Sequence, residues 1–99
     1  MKTKSLFVEL GNYLKAKRRQ ANISQAEVSK ALGYTSAQFI SNFERGLCAP
    51  PLNKLRILIT LYNLPVRELT NLLMREQKKY IEFHLAEQST RRGQKRSKA

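Results

Sequence analysis

The sequence predicts an all-α fold: a compact domain of five helices, followed by a C-terminal helical extension and a basic tail. Two observations predict it. Apolar residues recur every three or four positions, as they do along the buried face of a helix, and no segment shows the alternation of a half-buried strand. Glycine and proline interrupt this pattern at spacings that suit short helices. The length of 99 residues is enough for one small domain.

The first two helices are predicted over residues 6–20 and 25–32. Ser24 is a good N-cap for the second helix, and Glu27, three residues later, completes a capping box. Gly33 then ends this helix. The residues expected on the buried stripes of these two helices are Leu6, Leu10, Tyr13, Leu14 and Lys17, then Val28, Ala31 and Leu32.

Three further helices are predicted over residues 36–44, over residues 52–62, and from Val66 to about residue 88. Either Thr35 or Ser36 can cap the first of them. The residues expected to face the core are Phe39, Ile40 and Phe43, then Leu55, Ile59 and either Leu58 or Tyr62, and finally Leu69, Leu72 and Leu73.

The charge of the chain is strongly positive, with 19 Lys and Arg residues against 7 Asp and Glu residues and a net charge of +12. Such a balance predicts an anionic partner, with nucleic acid first and a membrane surface second. No apolar run is long enough to span a bilayer, and polar residues interrupt the N-terminal segment where a signal peptide needs an apolar core. We therefore expect a cytoplasmic, nucleoid-associated protein that does not bind membranes.

Catalysis and metal binding are not expected. Cys48 and His84 are the only residues of their types, so one chain can form neither an internal disulfide nor a zinc site from them. The sequence also lacks a plausible nucleophile–base pair, a glycine-rich phosphate loop and a carboxylate pair at catalytic spacing. We expect neither an enzyme nor a cofactor.

The last residues, "RRGQKRSKA", are nearly all basic or small and polar. Because no apolar residue can anchor them, residues 89–99 are predicted to be a disordered basic tail. The tail is either a solubilising end or an arm that contacts phosphate. The predicted organisation is a domain over residues 1–74, a helical extension over residues 75–88 that can serve dimerisation, and this tail.

The segment "SQAEVSKALGYTSAQFISNFERG" carries the functional pattern. It contains two short helices joined by a tight turn, and the second helix has small and polar residues on its outer face, which is typical of a helix-turn-helix motif. A major groove about 12 Å wide accepts one helix, and Gln and Asn side chains on that helix can make paired hydrogen bonds to adenine.

Residues 6–74 resemble the DNA-binding domain of phage repressors, the family of lambda repressor, Cro and Xre-like regulators. The stretches that carry the resemblance are "SQAEVSKALG", "ISNFERG" and "LYNLPVREL". The resemblance implies a five-helix fold, binding of double-stranded DNA and regulation of transcription, most often repression by a homodimer on paired half-sites. It also implies the roles of individual residues.

Base contacts are implied for Ser36, Ala37, Gln38, Ser41 and Asn42, and an ion pair between helices for Arg18 and Glu44. Phosphate contacts are implied or expected for Gln25, Tyr34, Thr35, Arg45, Asn53 and Lys54. The turn is one residue longer than is common in the family, so either Ser36 or Ala37 is the first base-facing residue. Tyr34 either packs inward or meets a phosphate. Gln25 can alternatively serve only in capping, and Gln38 and Asn42 can be ordinary solvated residues.

Two alternative functions remain open from the sequence. One is an antitoxin or prophage-maintenance regulator that also binds a partner protein through its C-terminal segment. The other is a non-specific nucleic-acid-binding protein whose basic tail supplies most of the affinity. A small-molecule-binding domain is not expected in a chain of this length.

Overall fold

The structure is a computed structural model that describes the backbone of residues 7–98 and the side chains of residues 7–86. Its helices are α1 (Val8–Gln20), α2 (Gln25–Ala31), α3 (Gln38–Glu44), α4 (Leu52–Tyr62) and α5 (Val66–Lys98). The described residues contain no strand. The prediction of an all-α fold with five helices is therefore confirmed.

One apolar core joins the helices. Helix α1 packs against α3, α4 and α5, and α2 packs against α3. Gly11 lets α1 approach α3 closely, because a Cβ atom at this position would lie 2.6 Å from the carbonyl oxygens of Phe43 and Glu44. The buried apolar residues are Phe7, Leu10, Leu14, Val28, Leu32, Ile40, Phe43, Leu55, Leu58, Tyr62, Leu64, Leu69 and Leu72.

The boundaries of α2 and α4 follow local chemistry. Ser24 Oγ accepts the backbone N–H of Glu27, and the Glu27 carboxylate accepts the backbone N–H of Ser24, so the predicted capping box is present. After α4, Asn63 adopts a left-handed conformation with φ of 56°. A left-handed residue is a common helix end because it turns the chain away from the axis.

Two residues that were expected in the core are exposed. Ala31 lies on the surface of α2, and the side chain of Phe39 is 45% exposed on α3. Each lies about a quarter of a turn from the centre of its helix's buried face, at 3.6 residues per turn. The expected inward orientation is therefore wrong for both.

Helix α3 begins at Gln38, two residues later than predicted. The backbone N–H of Gln38 donates to Ser36 Oγ at 3.0 Å. Ser36 thus caps the start of the helix from outside it, as its residue type favours. Ala37 occupies the position immediately before the helix.

Helix α5 extends well beyond the core. Leu69 and Leu72 are buried near its start, and Glu76 is buried one turn later, with 1% exposure. The Leu10 backbone N–H at the start of α1 donates to Glu76 Oε1 at 3.1 Å. Because no side chain of α1's own N-cap makes such a bond, the N-terminus of α1 is capped by a carboxylate from α5.

The backbone of α5 is continuous across both predicted boundaries, at residue 75 and at residue 89. It is helical to Lys98, where the composition predicts a disordered tail. Lys, Arg and Gln are good helix formers, so a lack of anchoring apolar residues does not by itself exclude helical backbone. The division into domain, extension and tail stays a prediction. None of the helices in the described part is long and apolar enough to cross a membrane.

Candidate nucleic-acid interface

An ion pair fixes the rear of α3. Arg18 Nε of α1 donates to Glu44 Oε2 at 2.6 Å, and its Nη2 donates to Glu44 Oε1 at 3.2 Å. Arg18 Nη1 donates to the carbonyl oxygen of Ile23 at 2.9 Å. The hydrogen bond to Glu44 raises the pKa of Arg18, and both side chains are nearly buried. The acidic residue of α3 is thus held inside, away from any anionic ligand.

Gln25, the first residue of α2, joins the same cluster. Its Nε2 donates to Glu44 Oε1 at 2.8 Å, and its side chain is half-buried. An amide nitrogen carries two hydrogens, so one remains for another acceptor. The structure therefore brings Gln25, Arg18 and Glu44 together, and Gln25 does more than cap its own helix.

The turn between α2 and α3 is held by Ser29, a residue whose hydroxyl needs a backbone partner at a position where the family usually has alanine. This buried hydroxyl donates to the carbonyl oxygen of Ser36 at 2.8 Å. Thr35 and Ser36 are exposed, whereas Ala37 is half-buried. Since Ser36 Oγ already accepts the N–H of Gln38, its side chain is engaged at the helix start.

The outer face of α3 carries a chain of hydrogen bonds. Gln38 Nε2 donates to Asn42 Oδ1 at 2.9 Å, and Arg45 Nη2 donates to the same oxygen at 2.9 Å. Ser41 lies beside them and is half-buried. We call Gln38, Asn42 and Arg45 the amide row. It combines two amides with a cation on one helix face.

Lys54 of α4 reaches back to the turn. Its Nζ donates to the carbonyl oxygen of Leu32 at 2.7 Å and lies 5.2 Å from the centre of the Tyr34 ring. Tyr34 packs against the core, and burial raises the pKa of its hydroxyl. Asn53, next to Lys54, is exposed. Tyr34 and Lys54 are thus partly engaged within the protein.

The Tyr34 ring also stacks on Phe39, with ring centres 4.5 Å apart and an angle of 19° between the planes. The helical pattern of the sequence predicts Phe39 in the core. The signal that it is exposed is its position immediately after Gln38, which places it at the edge of the outer face of α3. The described surface around this face therefore has a polar centre and an aromatic edge.

The comparison with known families agrees with this geometry. A family model described as a helix-turn-helix domain matches residues 9–73, which is more than half of the chain. Neither a curated protein nor a solved structure gave a significant match. The matched residues include the Arg18–Glu44 pair, the turn and the amide row. The chain therefore belongs to the helix-turn-helix domain family, which supports DNA as its partner.

Proposed function

We propose that this protein is a sequence-specific regulator of transcription that inserts α3 into the major groove of double-stranded DNA. The observation that carries the proposal is the amide row, Gln38, Asn42 and Arg45, on the outer face of a helix that is anchored from behind. A reading helix must hold its side chains in a fixed orientation, and the Arg18–Glu44 pair supports that requirement.

The chemistry of the amide row suits base recognition. Because Asn42 Oδ1 accepts from both neighbours, Asn42 has its amide hydrogens left to meet DNA, and Gln38 has its carbonyl oxygen and its second amide hydrogen. An amide that offers a donor and an acceptor together matches adenine in the major groove. Ser41 and either Ser36 or Ala37 would complete the base contacts.

Phosphate contacts would flank this centre. Arg45 lies at the end of α3 and Gln25 at the start of α2. Tyr34 and Thr35 come from the turn between these helices, and Asn53 and Lys54 from the first turn of α4. Such contacts supply affinity and position the helix, whereas base contacts supply specificity. The net charge of +12 supports strong attraction to DNA. The protein would act in the cytoplasm, with no catalytic role.

We further propose that it acts as a homodimer, most simply as a repressor, on two half-sites about one helical turn apart. The support lies on α5, where Met74, Ile81 and Leu85 are exposed. Spacings of seven and four residues place them on one side of the helix, about opposite to the buried Glu76. A second copy of α5 is the proposed cover for this apolar strip.

Selection of binding sites from random duplex DNA tests the proposal. We expect an enriched sequence with two related half-sites that contain adenine. On that sequence, Gln38→Ala should weaken binding by about 1–3 kcal/mol and change binding to random DNA little. Gln20→Ala, an exposed glutamine at the end of α1, is the matched control and should leave specific binding intact.

The same measurements distinguish the non-specific alternative. Removal of residues 89–99 should weaken binding to all sequences alike and reduce its salt dependence. If that deletion abolishes binding while Gln38→Ala has no effect on any sequence, the specific reading fails and the chain binds nucleic acid through its tail.

A further inference from the structure

Phe39 is the one large apolar side chain of α3 that remains substantially exposed, at 45%, whereas Ile40 and Phe43 are buried. It follows Gln38 directly. At about 100° of rotation per residue, Phe39 lies between the amide row and the buried face of α3. An exposed aromatic ring thus borders the surface proposed to meet bases.

The ring is held in place and does not project freely into solvent. It stacks on Tyr34 at 4.5 Å, and Tyr34 in turn lies 6.2 Å from the buried Phe43 ring. The Lys54 ammonium lies 5.2 Å from the centre of the Tyr34 ring and donates a hydrogen bond to the carbonyl oxygen of Leu32. The turn, α3 and α4 therefore all support this ring, and a supported ring loses little conformational entropy when it makes a further contact.

We infer that Phe39 is a specificity-determining residue, whose ring contacts the 5-methyl group of a thymine beside the bases read by the amide row. This inference rests on the proposed function. The physical reason is that thymine alone among the four bases shows a methyl group in the major groove, and phenylalanine can make apolar contact with it. An adenine read by an amide is paired with a thymine, and the methyl group of that thymine lies in the same major groove. The amide contact and the methyl contact are therefore compatible within a short A·T-containing site.

The test uses the full chain and the duplex obtained by selection. Each recurrent thymine is replaced in turn by deoxyuridine, which lacks only the methyl group. Wild-type binding should weaken about fourfold at one thymine in each half-site, the factor that burial of one methyl group contributes. This measurement requires no variant, so its result does not depend on whether a substitution disturbs folding.

The Phe39→Ala variant should bind the thymine-containing duplex more weakly than the wild type does. It should bind the thymine-containing and the deoxyuridine-containing duplexes with equal affinity. Phe39→Leu retains an apolar side chain and should keep part of the response. Val66→Ala, an exposed apolar residue at the start of α5, should respond to the methyl group as the wild type does. Circular dichroism of each variant checks that the helices are retained.

Three results would overturn the inference: a selected site without a recurrent thymine, wild-type binding that ignores every methyl deletion, or a Phe39→Ala response equal to that of the wild type. In each of these the proposed function still stands, because a preferred sequence has been found. A selection that enriches no sequence would overturn the inference and the proposed function together.

Discussion

The amide of Gln25, the first residue of α2, donates to the carboxylate of Glu44, the last residue of α3, over 2.8 Å. The same carboxylate accepts hydrogen bonds from Arg18 Nε and Nη2 of α1. Three helices therefore meet at one carboxylate. Because this cluster lies behind the outer face of α3, it sets the orientation in which that face is presented.

The first prediction concerns the charge of this cluster. Glu44→Gln keeps the shape of the side chain but leaves the nearly buried Arg18 guanidinium without a counter-charge. Breaking one side of a buried pair costs about 3–5 kcal/mol, so we expect a loss of that size in the free energy of unfolding. Urea denaturation followed by circular dichroism measures it.

Arg75→Gln is the control for the Glu44 variant. Arg75 Nη2 lies 2.9 Å from Glu9 Oε2, but both side chains are about half exposed. Exposed pairs contribute about 0–1 kcal/mol because water already solvates both charges. Equal losses from the two variants would contradict the structural role assigned to Glu44.

Local patterns were sufficient to predict much of this fold. Ser24 and Glu27 are three residues apart, and a capping box depends on that spacing alone. Phe39 shows the limit of such patterns. At the edge of a helical stripe, apolar character alone does not decide burial, because the outcome depends on which neighbouring side chains cover the ring. Among the side chains that the structure describes, Tyr34 alone stacks on it.

Glu76 could not be predicted from the sequence for a different reason. It lies in the charged run "REQKK", which has the composition of a solvated helix face. Its burial depends on Leu10, 66 positions earlier, whose N–H it accepts. No local pattern contains that relationship, because it depends on how α5 passes the N-terminus of α1. The base-reading roles, by comparison, rest on resemblance and remain proposals.

The second prediction concerns this carboxylate. Glu76→Ala removes the acceptor of the Leu10 N–H and the negative charge at the start of α1, where the helix dipole favours it. We expect a loss of about 1.5–3 kcal/mol in the free energy of unfolding, the range for a hydrogen bond to a charged group. Hydrogen exchange of the Leu10 amide should become faster than that of Leu14, deeper in the same helix.

Glu76→Gln separates the two contributions. The amide oxygen of the variant can still accept the Leu10 N–H. In the wild type, Glu76 Oε2 lies 2.9 Å from Lys79 Nζ in an ion pair that is not aligned as a hydrogen bond. The variant loses the negative charge of this ion pair. We expect protection of the Leu10 amide to be largely retained. Unchanged exchange at Leu10 in both variants would show that the carboxylate does not cap α1.

The third prediction is a pH dependence at the start of α2. The hydrogen bond from the Ser24 backbone, together with that from its side chain, lowers the pKa of Glu27 below its ordinary value of 4.5. A lowered pKa in the folded state means that the carboxylate stabilises the fold fully above the ordinary pKa. This stabilisation is lost as the pH falls through the lowered, folded-state value.

Glu27→Gln keeps an oxygen that can accept the Ser24 N–H but does not titrate. The thermal midpoints of wild type and variant, measured from neutral pH into the acid range, should therefore differ most at neutral pH. The wild-type advantage should shrink as the pH falls below the ordinary carboxyl pKa. A difference that stays constant over the whole range would contradict an ionised capping box.

The last prediction concerns the proposed dimer. Ile81→Lys places a charge in the middle of the exposed strip formed by Met74, Ile81 and Leu85, where burial against a second copy would require its desolvation. Sedimentation equilibrium should show a concentration-dependent dimer for the wild type and a monomer for this variant. Val66→Lys, on α5 but outside the strip, should retain the dimer.

The Ile81→Lys variant should also lose the gain in affinity that a second half-site gives. Its binding to a single half-site should stay unchanged, because α3 is not altered. A wild-type protein that stays monomeric at all concentrations, both alone and on paired half-sites, would exclude α5 as a dimer interface.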